Sequence, residues 1–126
     1  MFETRTIMST DVVSVKPDTP ISEAVELLVA KDITGIPVVN DDGTLAGIVT
    51  EKDILSLLAD TKCAAGTAEQ YMTRDVVTFD ADDDFIAICE CLMKNHFRRV
   101  PILSGGKLVG IVSRADIIKY IASPLG

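Results

Sequence analysis

The chain has 126 residues, of which 48% are hydrophobic and 25% charged, so it is long enough for one compact globular domain. Its formal net charge of −7 argues against a nucleic-acid surface as its main function. No apolar stretch approaches the roughly 20 residues that a membrane-spanning helix needs, and the first residues lack a signal-peptide pattern. These features predict a cytoplasmic protein with neither nucleic acid nor membrane as a partner.

Taken in chain order, the sequence contains two copies of one pattern. Residues 8–13 align with residues 72–77 at an offset of 64, and the offset becomes 63 where residues 45–49 align with 108–112. The lost residue therefore falls in the turn before the second alignment, where a deletion is best tolerated. We assign residues 1–62 to the first repeat and residues 63–126 to the second. Each is about 60 residues and only marginally able to bury a core alone, so we expect one shared core.

Within each copy the pattern predicts, in order, a strand, a helix, a strand, a hairpin turn, a strand and a helix. Apolar residues at helical spacing predict an amphipathic helix over 21–29 and another over 85–93. Thr19-Pro20 is predicted to supply the N-cap and first residue of the first helix, and the acids Asp82–Asp84 to complement the dipole of the second. The fold class is therefore α/β (α+β), with two β-α-β-β-α repeats expected to pack about a pseudo-two-fold axis.

A hydroxyl residue and an aspartate recur where the last strand of each copy becomes a helix. They are Thr50 and Asp53 in the first copy, and Ser113 and Asp116 in the second. Unpaired backbone N–H groups and the positive end of the helix dipole favour an anion at such a position. The same spacing fits a capping box, although Glu or Gln is the usual acid there. Spacing alone leaves both interpretations open, and they are compatible at the hydroxyl residue.

Positive charge is concentrated in the second copy. Residues 1–62 contain 5 basic and 11 acidic residues, whereas residues 63–126 contain 7 and 8. Arg98 and Arg99 are neighbours on a predicted strand, so only one of them should face a given cleft, and both could instead be surface charges. Arg114 and Lys52 lie between hydroxyl and aspartate. A local cationic spot on an acidic protein suits a small anion such as a phosphate.

The remaining reactive residues give no sign of a metal site or of catalysis. Three cysteines without a CxxC pair are a poor disulfide framework, and His96 is the single histidine. The acidic run over 80–84 lacks the glycine and terminal glutamate of a calcium loop. Neither a P-loop nor a Ser-His-Asp set is present. We therefore expect no metal, no required cofactor and no enzymatic activity.

Together, these residues resemble a tandem cystathionine β-synthase (CBS) domain pair, also called a Bateman module. The marks of the resemblance are Met-x-x-x-Val-Val opening each copy, an aliphatic-Pro strand start, the Gly-Ile-Val strand and Thr/Ser-x-x-Asp. The resemblance covers nearly the whole chain. It implies a regulatory module that binds an adenine nucleotide (AMP, ADP or ATP) in clefts between the repeats. It also implies a homodimer and a regulated protein that the sequence does not identify.

Two alternatives stay open. One is S-adenosylmethionine as the ligand, which an arginine-rich cleft disfavours because the sulfonium is cationic. The other is a ligand-free interaction or dimerisation module in which the Thr/Ser-x-x-Asp motifs are only structural.

The resemblance also implies roles for particular residues. The aspartate of each motif would hold the ribose hydroxyls, and the Ser or Thr would help to hold phosphate. Because a cleft in this family commonly mixes both copies, we expect the opening segment of each copy to face the motif of the other. The residues expected at Ser113–Asp116 are Met8, Thr10, Asp11 and Val13, and those expected at Thr50–Asp53 are Met72, Arg74, Asp75 and Val77. His96 is a weaker candidate. The predicted ligand-binding residues are Met8, Thr10, Asp11, Val13, Ile33, Thr34, Gly35, Ile36, Pro37, Thr50, Lys52, Asp53, Val77, Phe97, Arg98, Arg99, Val100, Pro101, Ser113, Arg114 and Asp116.

Overall fold

The computed structural model describes residues 3–59, 65–95 and 97–122. Short helices and small sheets alternate along this part of the chain, which confirms the α+β fold class. None of the described helices is both long and apolar enough to cross a membrane. The elements are α1 (Thr4–Ile7), α2 (Ile21–Ala30), β1 (Gly35–Val39), β2 (Leu45–Thr50), α3 (Glu51–Ala59), α4 (Ala68–Tyr71), β3 (Phe79–Asp80), α5 (Phe85–Lys94), β4 (Arg99–Ser104), β5 (Lys107–Ser113) and α6 (Arg114–Ala122).

The chain forms two compact units whose limits differ from those of the sequence repeats. The first unit is Val13–Val76, and the second unit combines Met1–Val12 with Val77–Gly126. Each unit therefore contains the opening segment of one repeat and most of the other repeat. The division at residues 62 and 63 stays a prediction about the repeats.

Each unit has a buried cluster of its own among the described residues, so the expectation of a single shared core is wrong. Both clusters nevertheless draw side chains from both copies. Ala68 and Met72 join the cluster of the first unit, and Ile7 joins that of the second. Each core is therefore completed by side chains from the opening segment of the other copy. This agrees with the argument that about 60 residues bury too little apolar surface alone.

The first unit is built on the antiparallel pair β1–β2. Val15 pairs in parallel with Val38 on one side of this hairpin. On the other side Thr73 and Ile48 form an antiparallel bridge, with N···O distances of 2.8 and 2.9 Å. The opening segment of the second repeat therefore completes the hairpin of the first.

The second unit repeats this plan. Strand β4 pairs in parallel with β3 and antiparallel with β5. Ser9 and Ile111 form the matching antiparallel bridge, also with N···O distances of 2.8 and 2.9 Å. Here the opening segment of the first repeat completes the hairpin of the second.

The hairpin turns account for the missing residue. The first turn closes around Asp41–Gly43, and Asn40 and Thr44 are hydrogen-bonded across it at 2.8 Å. In the second, Ser104 pairs with Lys107 across only Gly105 and Gly106, whose φ angles of 59° and 80° suit the two-residue turn of a hairpin. The predicted position of the deletion is therefore confirmed.

The two amphipathic helices begin differently. Helix α5 begins after Asp84, whose carboxylate accepts the Ile86 N–H at 3.1 Å, as the acidic run predicts. Helix α2 begins after Pro20, and the predicted cap by Thr19 is wrong. The Thr19 hydroxyl instead accepts the Lys16 N–H at 3.0 Å, which closes the turn before the helix.

One glycine in each hairpin lies directly under the opening segment that crosses it. A Cβ on Gly47 would lie 2.6 Å from the Thr73 carbonyl oxygen and 2.7 Å from the Met72 sulfur. A Cβ on Gly110 would lie 2.7 Å from the Met8 sulfur. At Gly47 the clash is with the backbone of the crossing segment, so that crossing requires glycine. At Gly110 the shortest contact is with the flexible Met8 side chain, and the Ser9 carbonyl oxygen lies at 3.0 Å.

We therefore expect Gly47→Ala to lower the free energy of unfolding by about 1–3 kcal/mol, because the Thr73 backbone must move. Gly35→Ala is the matched control, since its Cβ would meet neighbours no closer than 3.5 Å. Urea denaturation measures both variants. Equal stability of the two would contradict the close packing at Gly47.

Candidate functional site

The predicted hydroxyl–aspartate motifs form reciprocal capping boxes in both units. In the second unit the Ser113 N–H donates to Asp116 Oδ2 at 2.9 Å, and the Asp116 N–H donates to Ser113 Oγ at 3.1 Å. In the first unit Thr50 and Asp53 make the same two bonds at 2.8 and 3.3 Å. Aspartate is thus long enough for the capping role at this junction, and one carboxylate oxygen in each motif already serves the fold.

The two aspartates differ in what else they bind. Asp53 also accepts hydrogen bonds from the hydroxyl of Thr73, at 3.2 Å to Oδ1 and 3.1 Å to Oδ2. At the position matching Thr73, Ser9 makes no such bond to Asp116 within the part of the chain that the structure describes. Within the described residues, one carboxylate oxygen of Asp116 thus has no hydrogen bond, whereas both oxygens of Asp53 are engaged.

Thr73 is a residue that the sequence prediction missed. The prediction places Met72, Arg74, Asp75 and Val77 near Thr50–Asp53 but does not include Thr73. The available signal was a hydroxyl residue directly after the methionine that opens each copy, Ser9 in one and Thr73 in the other.

Strand register places a different residue beside each hydroxyl. Arg99 is directly opposite Ser113 in the β4–β5 pair, whereas Gly35 is opposite Thr50 in the β1–β2 pair. Directly opposite residues of an antiparallel pair project from the same face. Arg99, which is half-buried, is therefore the arginine of the predicted pair that shares a face with Ser113, and Arg98 is exposed.

The net charge also differs between the two units, and the unit that contains Arg99 is the less acidic one. The first unit contains 5 basic and 11 acidic residues, a net charge of −6, and the second contains 7 and 8, a net charge of −1. An anionic ligand therefore meets less repulsion in the second unit. Lys52, in the first, is exposed.

Arg114 lies between Ser113 and Asp116 in sequence, but its guanidinium is directed to the end of another helix. Arg114 Nη2 donates to the Leu92 carbonyl at 2.9 Å and to the Asn95 carbonyl at 3.1 Å. The Arg114 side chain is thus held by the C-terminal end of α5, and its contact with a ligand stays a prediction. A long side chain can contact residues far from its neighbours in sequence, so motif spacing alone does not predict which groups Arg114 contacts.

The aliphatic-Pro positions are largely interior. Ile36 and Val100 are 0% and 1% exposed, and Pro37 and Pro101 are also fully buried. Their side chains fill the cores of the two units and are not exposed to a ligand, although all four are among the predicted ligand-binding residues. Only their main chain remains a candidate for contact.

The residues before these prolines vary in exposure. Ile33 packs against the first core, and the Thr34 carbonyl accepts the Glu51 N–H at 3.1 Å. Phe97 is 37% exposed. Of these, Phe97 offers an accessible apolar side chain, and its contact with a ligand stays a prediction.

The opening segments reach the hairpins in part as expected. Met8 lies against Gly110 in the second unit, and Thr10 and Asp11 are exposed. Val13 belongs to the first unit and Val77 to the second, in each case the unit that does not hold the motif predicted to face it. The roles of Val13 and Val77 at a ligand stay predictions.

The other reactive groups that the structure describes form no metal site. His96 and Cys63 lie outside the described residues. Burial, and then the negative charge of Asp84, raise the pKa of the Cys89 thiol, which keeps it protonated and weakly nucleophilic. Among the described residues, no group of three or more His, Cys, Asp or Glu side chains could hold a metal ion.

Two α+β repeats with capped strand-to-helix junctions define a tandem-repeat module. The family model for the CBS domain matches residues 5–60 and again residues 68–123. The chain therefore belongs to the CBS domain family and carries a pair of these domains.

Known relatives and structures agree with this assignment. The chain is 34% identical over 119 residues to the uncharacterised protein MJ1225 of Methanocaldococcus jannaschii, matching 94% of this chain and 42% of that protein. It spans only about a fifth of the length of other archaeal relatives. CBSX2 of Arabidopsis thaliana, solved in complex with AMP, superposes with a TM-score of 0.86 at 28% identity and 96% coverage of both chains.

The CBS domain pair of protein MJ0100 was solved in complex with 5′-methylthioadenosine and S-adenosyl-L-methionine. It superposes with a TM-score of 0.81 at 29% identity and 96% coverage of both chains. Similar folds in this family are therefore known with adenosine-containing molecules bound, both with and without a phosphate group.

The capping boxes lead to a stability prediction. Ser113→Ala removes the acceptor of the Asp116 N–H, so we expect the free energy of unfolding to fall by about 1 kcal/mol. Ser56→Ala, an exposed change within α3, is the control and should have little effect. Chemical denaturation followed by circular dichroism compares them, and an unchanged stability of Ser113→Ala would rule out the cap.

Proposed function

We propose that this chain is a regulatory module that binds an adenine nucleotide (AMP, ADP or ATP) at the Ser113–Asp116 junction of the second unit. The observation that carries the proposal is the difference between the two aspartates. Asp116 Oδ1 makes no bond to any other described residue, whereas both oxygens of Asp53 accept from Thr73. We further propose that the module acts in the cytoplasm, without catalytic activity, on a protein partner.

The chemistry of this junction suits a nucleoside phosphate. A carboxylate oxygen accepts hydrogen bonds from the vicinal hydroxyls of a ribose. On the same face, Arg99 opposite Ser113 offers a planar guanidinium, which suits bidentate contact with phosphate oxygens. Sugar and phosphate are therefore recognised by different groups.

Regulation requires that the ligand distinguish between states of the protein. A nucleotide can shift a conformational equilibrium only by as much as its affinity differs between the two states. Asp116 belongs to the first turn of α6, so a ligand bound there would act on the start of that helix.

S-adenosylmethionine is the alternative that a solved neighbour supports, since MJ0100 was solved with it. The two ligand classes differ in charge near the ribose, phosphate being anionic and sulfonium cationic. Arg99 favours the phosphate, which is why a nucleotide is preferred here.

We expect wild-type protein to bind AMP in isothermal titration calorimetry, and Asp116→Asn to weaken this binding about tenfold or more, because a charged acceptor is lost. Asp53→Asn is the matched control. It disturbs an equivalent capping box and also the bonds from Thr73, so its cost to the fold is at least as large, but it should change the affinity by no more than about twofold.

Titrations with ATP, adenosine and S-adenosylmethionine complete the test. Tighter binding of S-adenosylmethionine than of AMP would favour the alternative ligand. Absence of any stabilisation by millimolar ligand in a thermal shift assay would favour a purely structural module.

We also propose that the chain forms a homodimer through its exposed helix faces. Leu55 and Ile118 occupy matching positions of α3 and α6 and are 66% and 65% exposed. Val29 and Met93 match in the same way on α2 and α5, at 77% and 82% exposure. Large apolar side chains exposed at equivalent positions of both repeats are typical of a surface that a partner covers.

Ile118→Glu tests this proposal, because burying an unpaired carboxylate in an apolar interface is strongly unfavourable. We expect the wild type to run as a dimer in size-exclusion chromatography with light scattering, and Ile118→Glu as a monomer. Ile86→Glu is the control, since Ile86 is 45% exposed but its counterpart in the first copy is the polar Ser22. A monomeric wild type at high concentration would contradict the dimer.

A further inference from the structure

Arg114 binds the main chain at both ends of the connection between α5 and β4. Its side chain donates to the carbonyl of Asn95, the residue that follows α5, and to that of Leu92 within the last turn. Its own backbone N–H donates to the Arg98 carbonyl at 3.2 Å, immediately before β4. One residue at the start of α6 therefore fixes where the connection leaves the helix and where it enters the sheet.

The end of α5 needs such a partner. Its C-cap residue Asn95 is extended, with φ −118° and ψ 167°, so the chain leaves the helix without the left-handed residue that commonly satisfies terminal carbonyls. A guanidinium at this position supplies donors and also complements the negative end of the helix dipole.

The first unit shows the same junction without this contact. Helix α2 ends in a Schellman motif, in which the Ile33 N–H donates to the Leu28 carbonyl at 3.1 Å and the Asp32 N–H to Val29 at 3.2 Å. The residue matching Arg114 is Glu51, which keeps the backbone bond to Thr34 but carries an acceptor side chain. The side-chain contact to the preceding helix is therefore a feature of the second unit.

We infer that Arg114 is a positioning residue, which holds the α5–β4 connection so that Arg99, opposite Ser113, is placed to meet a ligand phosphate. This inference rests on the proposed nucleotide binding. In this inference Arg114 contributes to phosphate affinity through Arg99, because its Nη2 is engaged by the carbonyls of Leu92 and Asn95 at the end of α5.

The test compares AMP with adenosine in calorimetry, because the ratio of their dissociation constants isolates the phosphate. We expect Arg114→Ala to reduce the ratio of the adenosine Kd to the AMP Kd about tenfold, because AMP binding weakens while adenosine binding changes little. In protein that already carries Arg98→Ala and Arg99→Ala, adding Arg114→Ala should cause no further loss. Lys119→Ala, an exposed charge removal on the same helix, is the control.

Hydrogen exchange of the ligand-free protein supplies a second readout. Peptides that cover the α5–β4 connection should exchange faster in Arg114→Ala and in Arg114→Lys, whereas Lys119→Ala should leave them unchanged. Arg114→Lys retains the charge but not the reach of the guanidinium, so it keeps AMP affinity only if attraction by charge is what matters.

The outcomes separate this inference from the proposed function. Additive loss of AMP affinity in the triple variant, or wild-type affinity in Arg114→Lys, would overturn positioning in favour of direct or electrostatic contact. Unchanged exchange would overturn the contact to α5 itself. If the wild type binds AMP and adenosine equally, the proposed function is wrong, and so is the role of Arg114 in binding. Faster hydrogen exchange in Arg114→Ala would still establish its contact with the end of α5.

Discussion

The structure depends on the junction at which the last hairpin strand becomes the last helix. At that junction a hydroxyl residue and an aspartate satisfy each other's backbone N–H groups, so the helix begins at a fixed residue. The bonds also fix the orientation of the carboxylate, since one oxygen is already engaged. The other oxygen is consequently held in place before any ligand arrives, and less entropy is lost when a ligand binds.

The two units use one scaffold for different chemistry. The β-bridges, the register and the capping boxes agree between them, but the residues around the aspartate do not. Thr73, Gly35 and Glu51 surround the motif of the first unit, where the second has Ser9, Arg99 and Arg114. Two of these differences replace a neutral or acidic residue of the first unit by an arginine in the second. Because the backbone plan is shared, the units differ at this junction in their side chains.

Much of this architecture could be predicted from the sequence, because repeats and periodicity are properties of the backbone plan. The offset change placed the deletion in the turn, where Gly105 and Gly106 adopt the left-handed conformations of a short hairpin. The acidic run marked the start of α5. Such features depend on residues close together in the chain, so local physical rules suffice to interpret them.

What could not be predicted depends on contacts between distant residues. Arg114 reaches the end of α5, 19 residues before it, through a flexible side chain whose rotamer no spacing rule determines. Thr73 meets Asp53 only because the opening segment crosses the hairpin. Ile36 and Val100 were assigned to a ligand surface because of their position in the motif, although β-strand residues of this kind are most often buried.

The exchange of opening segments bears on how such a protein could arise. A chain with a single repeat would have a hairpin edge with no opening segment to cross it, and an opening segment with no hairpin to cover. Two separate copies could satisfy each other by swapping these segments, as in a domain-swapped dimer. Joining the copies in one chain replaces that encounter between molecules by one at a high effective concentration, which makes the pairing independent of protein concentration. Once joined, the two halves can also diverge separately, so the residues around one aspartate can change while those around the other stay the same.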